Sequence, residues 1–310
     1  MSSDVVELTN ISKAYKHIYA VDHINMKIKK GDIYGFIGRN GAGKSTTLKM
    51  ICGLVSPDSG QIKLFGEERN RMSARRIGSL IENAGLYPGM SAYDNMDIKA
   101  TAMGLHDTQK IHELLKLVKL DSKSKKPVKK FSLGMKQRLG IAMALLGNPD
   151  LLILDEPING LDPEGIREIR EMIQYLNETK KMTIIISSHI LGELSKIATR
   201  YGMIRDGKLI EEISKEELAL KCMDYLSVKV DNIQKAVTLL ETKLGMQHYQ
   251  VHEQNELWIF DDIDSAQVNL ILAQNDIAIS SMFYQKQDLE SYFLERIGGN
   301  DHVEYDKSRN

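Results

Sequence analysis

The sequence predicts an α/β protein with a parallel β-sheet covered by helices on both faces, followed by a smaller α+β unit. Two apolar segments, LLILD at 151–155 and TIIIS at 183–187, are hydrophobic at successive positions, as expected of strands buried on both faces. These segments alternate with stretches of helical periodicity, which is the order that builds a parallel sheet. After about residue 217 the pattern changes to short strands and helices in a different order.

The composition excludes several classes of protein. The 310 residues carry 41 Lys and Arg against 42 Asp and Glu, which argues against a dedicated nucleic-acid binder, because such proteins normally have a basic excess. The two cysteines, Cys52 and Cys222, are too few for a disulfide framework and fit a reducing cytosol. The amino-terminal segment lacks the basic-then-apolar order of a secretory signal. Apolar runs are far shorter than the ~20 residues that cross a bilayer, so we expect any membrane role to act through a separate protein.

The elements of the first domain follow one another along the chain. Short β-rich pieces fill residues 5–37, and the last of them, IYGFI, leads into a glycine-rich segment and then a helix. Leu48, Ile51 and Leu54 share one side of that helix. Further predicted elements are a turn at 56–60, a strand at 61–66, a mainly helical region at 91–120, a solvated basic loop at 123–130, a helix from about Ser132 that Asn148-Pro149 stops, the strand LLILD, a helix from Pro163 to about Thr179, and the strand TIIIS.

The carboxyl-terminal region has the order β-α-β-β-α-β-α, which is typical of a ferredoxin-like α+β unit. Its helices are predicted near 232–244, 264–274 and 287–297, and Trp258 and Phe260 are expected in the core of its strands. We therefore predict a first domain at 1–217 with a helical subdomain at about 88–149, a second domain at 218–298 and a tail at 299–310. The second domain has no recognisable chemistry, and a role in dimer contact or regulation stays open.

Residues 38–45 match the phosphate-loop pattern G-x-x-x-x-G-K-[ST] at every fixed position. Glycines allow backbone N–H groups to turn towards phosphate oxygens, and the N-terminus of the following helix adds a favourable partial charge. Lys44 is expected to pair with the β- and γ-phosphates of ATP, and the Ser45 hydroxyl to bind Mg²⁺. The expected nucleotide-binding residues of this loop are Gly38, Arg39, Asn40, Gly41, Ala42, Gly43, Lys44, Ser45 and Thr46.

Asp155 and Glu156 follow the apolar strand at 151–155, at the edge where open α/β sheets bind their ligands. Asp155 is expected to hold Mg²⁺, directly or through water. Glu156 is expected to be the general base that orients and polarises the attacking water. An apolar run that ends in Asp-Glu could by itself be a structural strand end, but its place downstream of a phosphate loop favours catalysis.

The segment FSLGMKQR at 131–138 resembles the signature motif of ABC ATPases, usually LSGGQQQR. Asp155-Glu156-Pro157 resembles the Walker B motif of that family, the segment at 159–162 its D-loop, and His189 its switch histidine. Tyr15 occupies the place where the family stacks an aromatic ring on adenine. The resemblance covers roughly residues 4–220 and rests on six motifs in the family's order. It implies that His189 contacts the γ-phosphate.

The resemblance also implies an assembly in which two ATPase subunits close head to tail around ATP, with a homodimer of this chain as the expected pair. Ser132 and Gly134 would then meet the γ-phosphate held by the partner, and Asp162 would help form the interface. Leu133 stands where the family has its first glycine, and Met135 follows Gly134. The signature therefore departs from its usual form but keeps the two residues to which the role is assigned.

Glu82 stands where most ABC ATPases place the glutamine of the Q-loop, and it is expected at the nucleotide as a further Mg²⁺ ligand. A glutamate there, together with GDIYGFIGRNGAGKS and SSHILGEL, is similar to the bacterial bacitracin-resistance and lantibiotic-immunity ATPases. The resemblance implies a peripheral subunit on the cytoplasmic face of the bacterial membrane, paired with integral membrane permease subunits. The peptide antibiotic would then contact the permease and not this chain.

Other functions compete with this interpretation. A soluble ABC ATPase acting on ribosomes or DNA is disfavoured, because the chain has one cassette and no room for a long coiled coil between its Walker motifs. A nutrient-import ATPase would favour a Q-loop glutamine and a barrel-like carboxyl-terminal domain, and the sequence predicts neither. An exporter of another substrate stays open.

Overall fold

The computed structural model describes residues 4–285, 292–294 and 296, and the chain divides into two compact units. The first unit comprises the described residues up to Lys215 and those from Phe293 onward, and the second is Glu216–Tyr292. Most of the helix predicted near 287–297, and the whole tail at 299–310, lie outside the described residues. The domain boundary at 217/218 and the helical subdomain at 88–149 stay predictions. No helix within the described residues is long and apolar enough to span a membrane.

The first unit consists of two sheets and the helices around them, as far as its described residues go. Its strands are β1 Asp4–Tyr15, β2 Ile18–Lys29, β3 Ile33–Ile37, β4 Ser59–Leu64, β5 Glu67–Glu68, β6 Ile77–Leu80, β7 Leu151–Asp155, β8 Thr183–Ser188, β9 Arg200–Arg205 and β10 Lys208–Ser214. Its helices are α1 Lys44–Cys52, α2 Arg71–Arg75, α3 Ala92–Ala102, α4 Thr108–Leu117, α5 Leu133–Ala144, α6 Pro163–Lys180 and α7 Leu191–Leu194. Helix α8 Lys215–Lys221 begins with the last residue of this part of the first unit and otherwise belongs to the second unit. A 3₁₀ turn at Val128–Lys130 precedes α5.

A six-stranded sheet in the order β10-β9-β3-β8-β7-β6 carries the candidate site. Its strands are parallel except for β10, which pairs antiparallel with β9. Every residue of β3, β7 and β8 is buried, which explains why these strands are largely apolar in sequence. Asp155 lies opposite Ser187, and Ile37 opposite Ser188, so the carboxyl ends of three neighbouring strands meet at one edge. The predicted parallel sheet is confirmed.

The antiparallel sheet β2-β1-β4-β5 shares a hydrophobic core with α1 and β3. Leu48 and Ile51 of α1 are buried in this core as expected. The helix ends at Gly53, whose φ of 78° is the left-handed conformation typical of a helix C-terminus. Leu54 therefore lies beyond the helix and is exposed, so its predicted place on the apolar side is wrong. Helix α5 likewise ends at Ala144, before the predicted stop at Asn148-Pro149.

The second unit has the element order predicted for it as far as residue 285. Its elements are β11 Tyr225–Val230, α9 Ile233–Leu244, β12 Tyr249–His252, β13 Glu256–Ile259, α10 Ser265–Gln274 and β14 Ile279–Gln285, and its antiparallel sheet has the order β12-β13-β11-β14. Leu257 and Ile259 enter the core. Trp258 points to the opposite face, as strand alternation requires, and stacks on Tyr225 at 4.3 Å between ring centroids. Trp258 and Phe260 are half-buried and outside that core, so their predicted place in it is wrong.

Candidate nucleotide-binding site

The loop at 38–46 connects β3 to α1, and two of its glycines are required by close backbone contacts. A Cβ on Gly38 would lie 2.5 Å from the carbonyl oxygen of Ile204 in β9. A Cβ on Gly43 would lie 2.4 Å from the carbonyl oxygen of Ala20, and Gly43 also has a φ of 109°. The loop can therefore fold against the sheet only with glycine at both positions. A glycine-rich loop that leads into a helix N-terminus, as this one leads into α1, is the kind of backbone structure that binds anions in other proteins.

Lys44, the first residue of α1, places a buried ammonium group inside this loop. Its side chain is 5% exposed, and Nζ donates hydrogen bonds to the carbonyl oxygens of Gly38, at 2.6 Å, and Arg39, at 3.2 Å. Nζ also lies 3.2 Å from Oε1 of Glu156. A buried charge is tolerated when it is paired and hydrogen-bonded in this way. The contacts fix a cation at the phosphate loop beside the end of β7.

Ser187, near the end of β8, bonds to both acidic residues at the end of β7, to the carboxylate of Asp155 and to the backbone of Glu156. Its hydroxyl donates to Oδ1 of Asp155 at 2.5 Å and accepts a hydrogen bond from the backbone N–H of Glu156 at 2.9 Å. Glu156 has a φ of 50°, an uncommon conformation for a residue with a side chain. These two bonds hold the Asp155 carboxylate and stabilise the backbone turn at Glu156. Ser187 was not predicted as a site residue; the signal for it in the sequence is a polar residue at the end of an otherwise apolar strand.

The carboxylate of Glu156 lies between a lysine and a histidine. Oε2 lies 2.8 Å from Nδ1 of His189, and Oε1 makes the ion pair with Lys44. Oε1 is buried, and the ion pair lacks the geometry of a hydrogen bond, so this oxygen has no hydrogen-bond partner among the described residues. The structure thus brings together Lys44, Glu156 and His189, three residues predicted separately from the sequence.

Glu82 reaches the site from the loop after β6. It has a φ of 61°, its side chain is 60% exposed, and its Oε1 lies 2.5 Å from Nζ of Lys49 on α1. The hydrogen bond with Glu82 raises the pKa of Lys49, partial burial opposes that rise, and the carboxylate charges of Glu82 and Asp155 add to it. Lys49 was not predicted as a site residue. Its contacts place Glu82 beside the phosphate-loop helix.

The other residues predicted for the nucleotide have different environments. Tyr15 ends β1 with its side chain half exposed, and Nζ of Lys13 lies 5.7 Å from the centre of its ring. In the first turn of α1, Ser45 and Thr46 are half-buried. Of the remaining loop residues, Arg39, Asn40 and Gly41 are exposed and Ala42 is buried.

The signature residues lie at the start of α5. Ser132 caps that helix, since its Oγ accepts a hydrogen bond from the N–H of Met135 at 3.2 Å. Gly134 follows within the first turn, and Asp162 caps α6 through the N–H of Gly165 at 3.1 Å. Within the described part of the chain, no hydrogen bond or ion pair joins Ser132 to the loop at 38–46.

The oxygen groups at this edge fit a magnesium ion that is shared with phosphates. Asp155, Glu82 and Ser45 offer carboxylate and hydroxyl oxygens, which are the hard ligands that Mg²⁺ takes. No group of three or more Asp, Glu, His or Cys side chains among the described residues could hold a metal by itself. Mg²⁺ commonly binds through one or two carboxylates together with substrate phosphates, and this donor set suits that arrangement.

Comparisons with known proteins agree with this geometry. Residues 21–159 match the family described as ABC transporter. The chain is 43% identical over 301 residues to the bacitracin transport ATP-binding protein BcrA of Bacillus licheniformis, covering 96% of this chain and 98% of that protein. It is 50% identical over 208 residues to the lantibiotic transport ATP-binding protein SrtF of Streptococcus pyogenes, covering 67% and 90%.

Solved structures show the same fold for the first part of the chain. A dimeric post-hydrolysis ATP-binding cassette bound to ADP and Pi superimposes with a TM-score of 0.60 at 26% identity, covering 68% of this chain and 98% of that one. That cassette was captured with the products of ATP hydrolysis, and the phosphate loop described above has the sequence pattern that binds such phosphates. The sequence, the fold and the relatives thus agree. The chain belongs to the ATP-binding proteins of ABC transporters, whose hydrolysis of ATP is coupled to transport.

Proposed function

We propose that Glu156 is the general base for ATP hydrolysis in this chain and that Lys44 holds the β- and γ-phosphates. The observation that supports this most is the position of the Glu156 carboxylate, between the Lys44 ammonium and the His189 ring. When ATP binds in the loop at 38–46, its phosphate oxygens would replace Glu156 as the ion-pair partner of Lys44. Glu156 would then be free to accept a proton from water. His189 would then orient Glu156 and contact the γ-phosphate.

Ser45, Asp155 and Glu82 would hold Mg²⁺. The metal supplies charge neutralisation for the β- and γ-phosphates when bound. Ser187 orients Asp155 towards that place, because its hydroxyl occupies one carboxylate oxygen and leaves the other available. Tyr15, half exposed at the end of β1, would stack on the adenine.

ATPase cassettes of this family dimerise and work with membrane permease components. We propose that the second ATPase subunit is another copy of this chain. Ser132 and Gly134 would complete the partner's nucleotide site, and Asp162 would contribute to the interface. The exposed N-terminus of α5, capped by Ser132, supports this role because such a helix end attracts phosphate.

We further propose that the transporter removes bacitracin- or lantibiotic-type peptide antibiotics and confers resistance. The similarity to BcrA over nearly the full length of both chains supports this substrate class, and so does the 50% identity to SrtF. The subunit would bind a permease at the cytoplasmic face of the bacterial membrane, and the antibiotic would contact the permease alone. The glutamate at position 82 accords with this assignment.

Deletion of this chain in its host tests the substrate class. We expect the inhibitory concentrations of bacitracin or of a lantibiotic to fall, and that of an antibiotic with an intracellular target to stay the same. The native chain should restore resistance, and a matched Glu156→Gln chain should not. Unchanged sensitivity to both peptides would contradict peptide-antibiotic export, and a multi-span membrane protein purified with the tagged chain would identify the permease.

A further inference from the structure

Helix α1 carries a second lysine at the edge of the nucleotide site. Lys49 lies four residues after Ser45, so the two side chains share one face of the helix. Side chains on a helix lean towards its N-terminus, which directs Lys49 to the Ser45 end. Lys49 is 28% exposed, and its ammonium lies 2.5 Å from the Glu82 carboxylate.

Glu82 needs a counter-ion at this place. Its partner Lys49 lies on α1, the helix that begins in the phosphate loop, so the carboxylate lies beside that helix. A carboxylate there repels the phosphates of ATP while no metal is bound, and a glutamine would not. Within the described residues, the ion pair that Glu82 makes is the one with Lys49.

The ammonium of Lys49 and a magnesium ion are alternative counter-ions for the same carboxylate. An ammonium at Oε1 occupies one oxygen and repels a dication that approaches the other. Removal of that ammonium should therefore strengthen the binding of Mg²⁺, and the effect should be larger with the Glu82 carboxylate than with an amide at this position, because only the carboxylate forms the ion pair.

We propose that Lys49 is the counter-ion of Glu82 while no metal is bound, and that Mg²⁺ replaces it at that carboxylate. The inference rests on the proposed role of Glu82 as a metal ligand. Lys49 thus sets how much Mg²⁺ the site requires, without itself touching the reacting atoms.

The experiment measures the Mg²⁺ concentration that gives half-maximal binding of a fluorescent, non-hydrolysed ATP analogue to the purified full chain. Lys49→Met keeps the alkyl stem and removes the charge. We expect it to lower the half-saturating Mg²⁺ concentration by about two- to fivefold, the range for a partly exposed ion pair. In a Glu82→Gln background the same substitution should lower the Mg²⁺ requirement clearly less, because only the direct repulsion between the ammonium and the metal remains to be removed. Lys49→Arg, which keeps the charge, should behave like the native chain.

The outcomes separate this inference from the proposed function. A higher Mg²⁺ requirement in Lys49→Met, or an equal change in both backgrounds, would overturn the role of Lys49 while leaving nucleotide binding in place. Failure of the native chain to bind the analogue would instead overturn the nucleotide site. Thermal unfolding of each variant checks its fold, and Lys49→Gln serves in the same comparison if Lys49→Met does not fold.

Discussion

The Ser187 hydroxyl donates a hydrogen bond to the Asp155 carboxylate at 2.5 Å, across the pair of neighbouring strands β8 and β7. The same oxygen accepts the N–H of Glu156 at 2.9 Å. Ser187 therefore orients the proposed metal ligand and the proposed base from one position.

Ser187→Ala should lower ATPase turnover by about 10- to 100-fold, the usual cost of losing a residue that orients a metal ligand. The neighbouring Ser188→Ala is the matched control, because Ser188 bonds to the N–H of Ile190 and not to either carboxylate. Steady-state ATPase assays on both variants test the difference. Equal activities in the two variants would count against an orienting role for Ser187.

Lys44→Ala should abolish nucleotide binding and hydrolysis, because it removes the ammonium fixed inside the phosphate loop. Tyr15→Ala should be milder, since stacking of an aromatic side chain on a base is worth about 1–3 kcal/mol. Titration of each variant with a fluorescent ATP analogue compares the two losses. Equal losses, or unchanged affinity in Lys44→Ala, would contradict the roles assigned to these residues.

A Ser132→Ala variant should bind ATP through its own phosphate loop and yet lose ATPase activity, because Ser132 is proposed to act on the partner's nucleotide. Mixed with Lys44→Ala, it should form hybrid dimers that contain one intact composite site and one doubly damaged site. Partial recovery of activity in the mixture is the expected result. This test requires that hybrid dimers are shown to form and that one intact site suffices for hydrolysis. Under those conditions, activity equal to the sum of the activities of the separate variants would argue against a shared site.

Glu82→Gln should weaken the dependence of ATP binding on Mg²⁺ and keep much of the activity, because an amide oxygen still binds metal without repelling phosphate. Glu82→Ala should bind ATP but lose antibiotic resistance, since the loop after β6 would no longer respond to the nucleotide. Resistance and ATPase assays on the two variants distinguish these effects. Unchanged ATPase activity and resistance in Glu82→Ala would leave Glu82 as an exposed carboxylate without a role.

The features that could be predicted from the sequence are those that depend on residues close together along the chain. The phosphate loop, the buried strand ending at Asp155 and the helix capped by Ser132 each depend on contiguous residues, and the structure contains all three. Ser187 and Lys49 were not predicted as site residues, because each depends on a partner that is distant in sequence. The register of the sheet brings Ser187 to Asp155. The loop after β6 brings Glu82 to Lys49. Leu54 and Trp258 were misplaced for a related reason. Helix α1 ends at Gly53, which leaves Leu54 outside the core. The alternation of side chains along β13 places Trp258 on the face opposite the core.

Glu156 is proposed to activate water for the hydrolysis of ATP held at Lys44. Parallel measurements of ATP affinity and ATPase turnover on the native chain and on Glu156→Gln test this role. The amide keeps the size of the side chain but cannot accept the proton, so we expect ATP affinity to persist, turnover to fall by about 10²–10⁴-fold and a closed ATP-bound dimer to accumulate. Normal turnover in Glu156→Gln would contradict the assignment of Glu156 as the base.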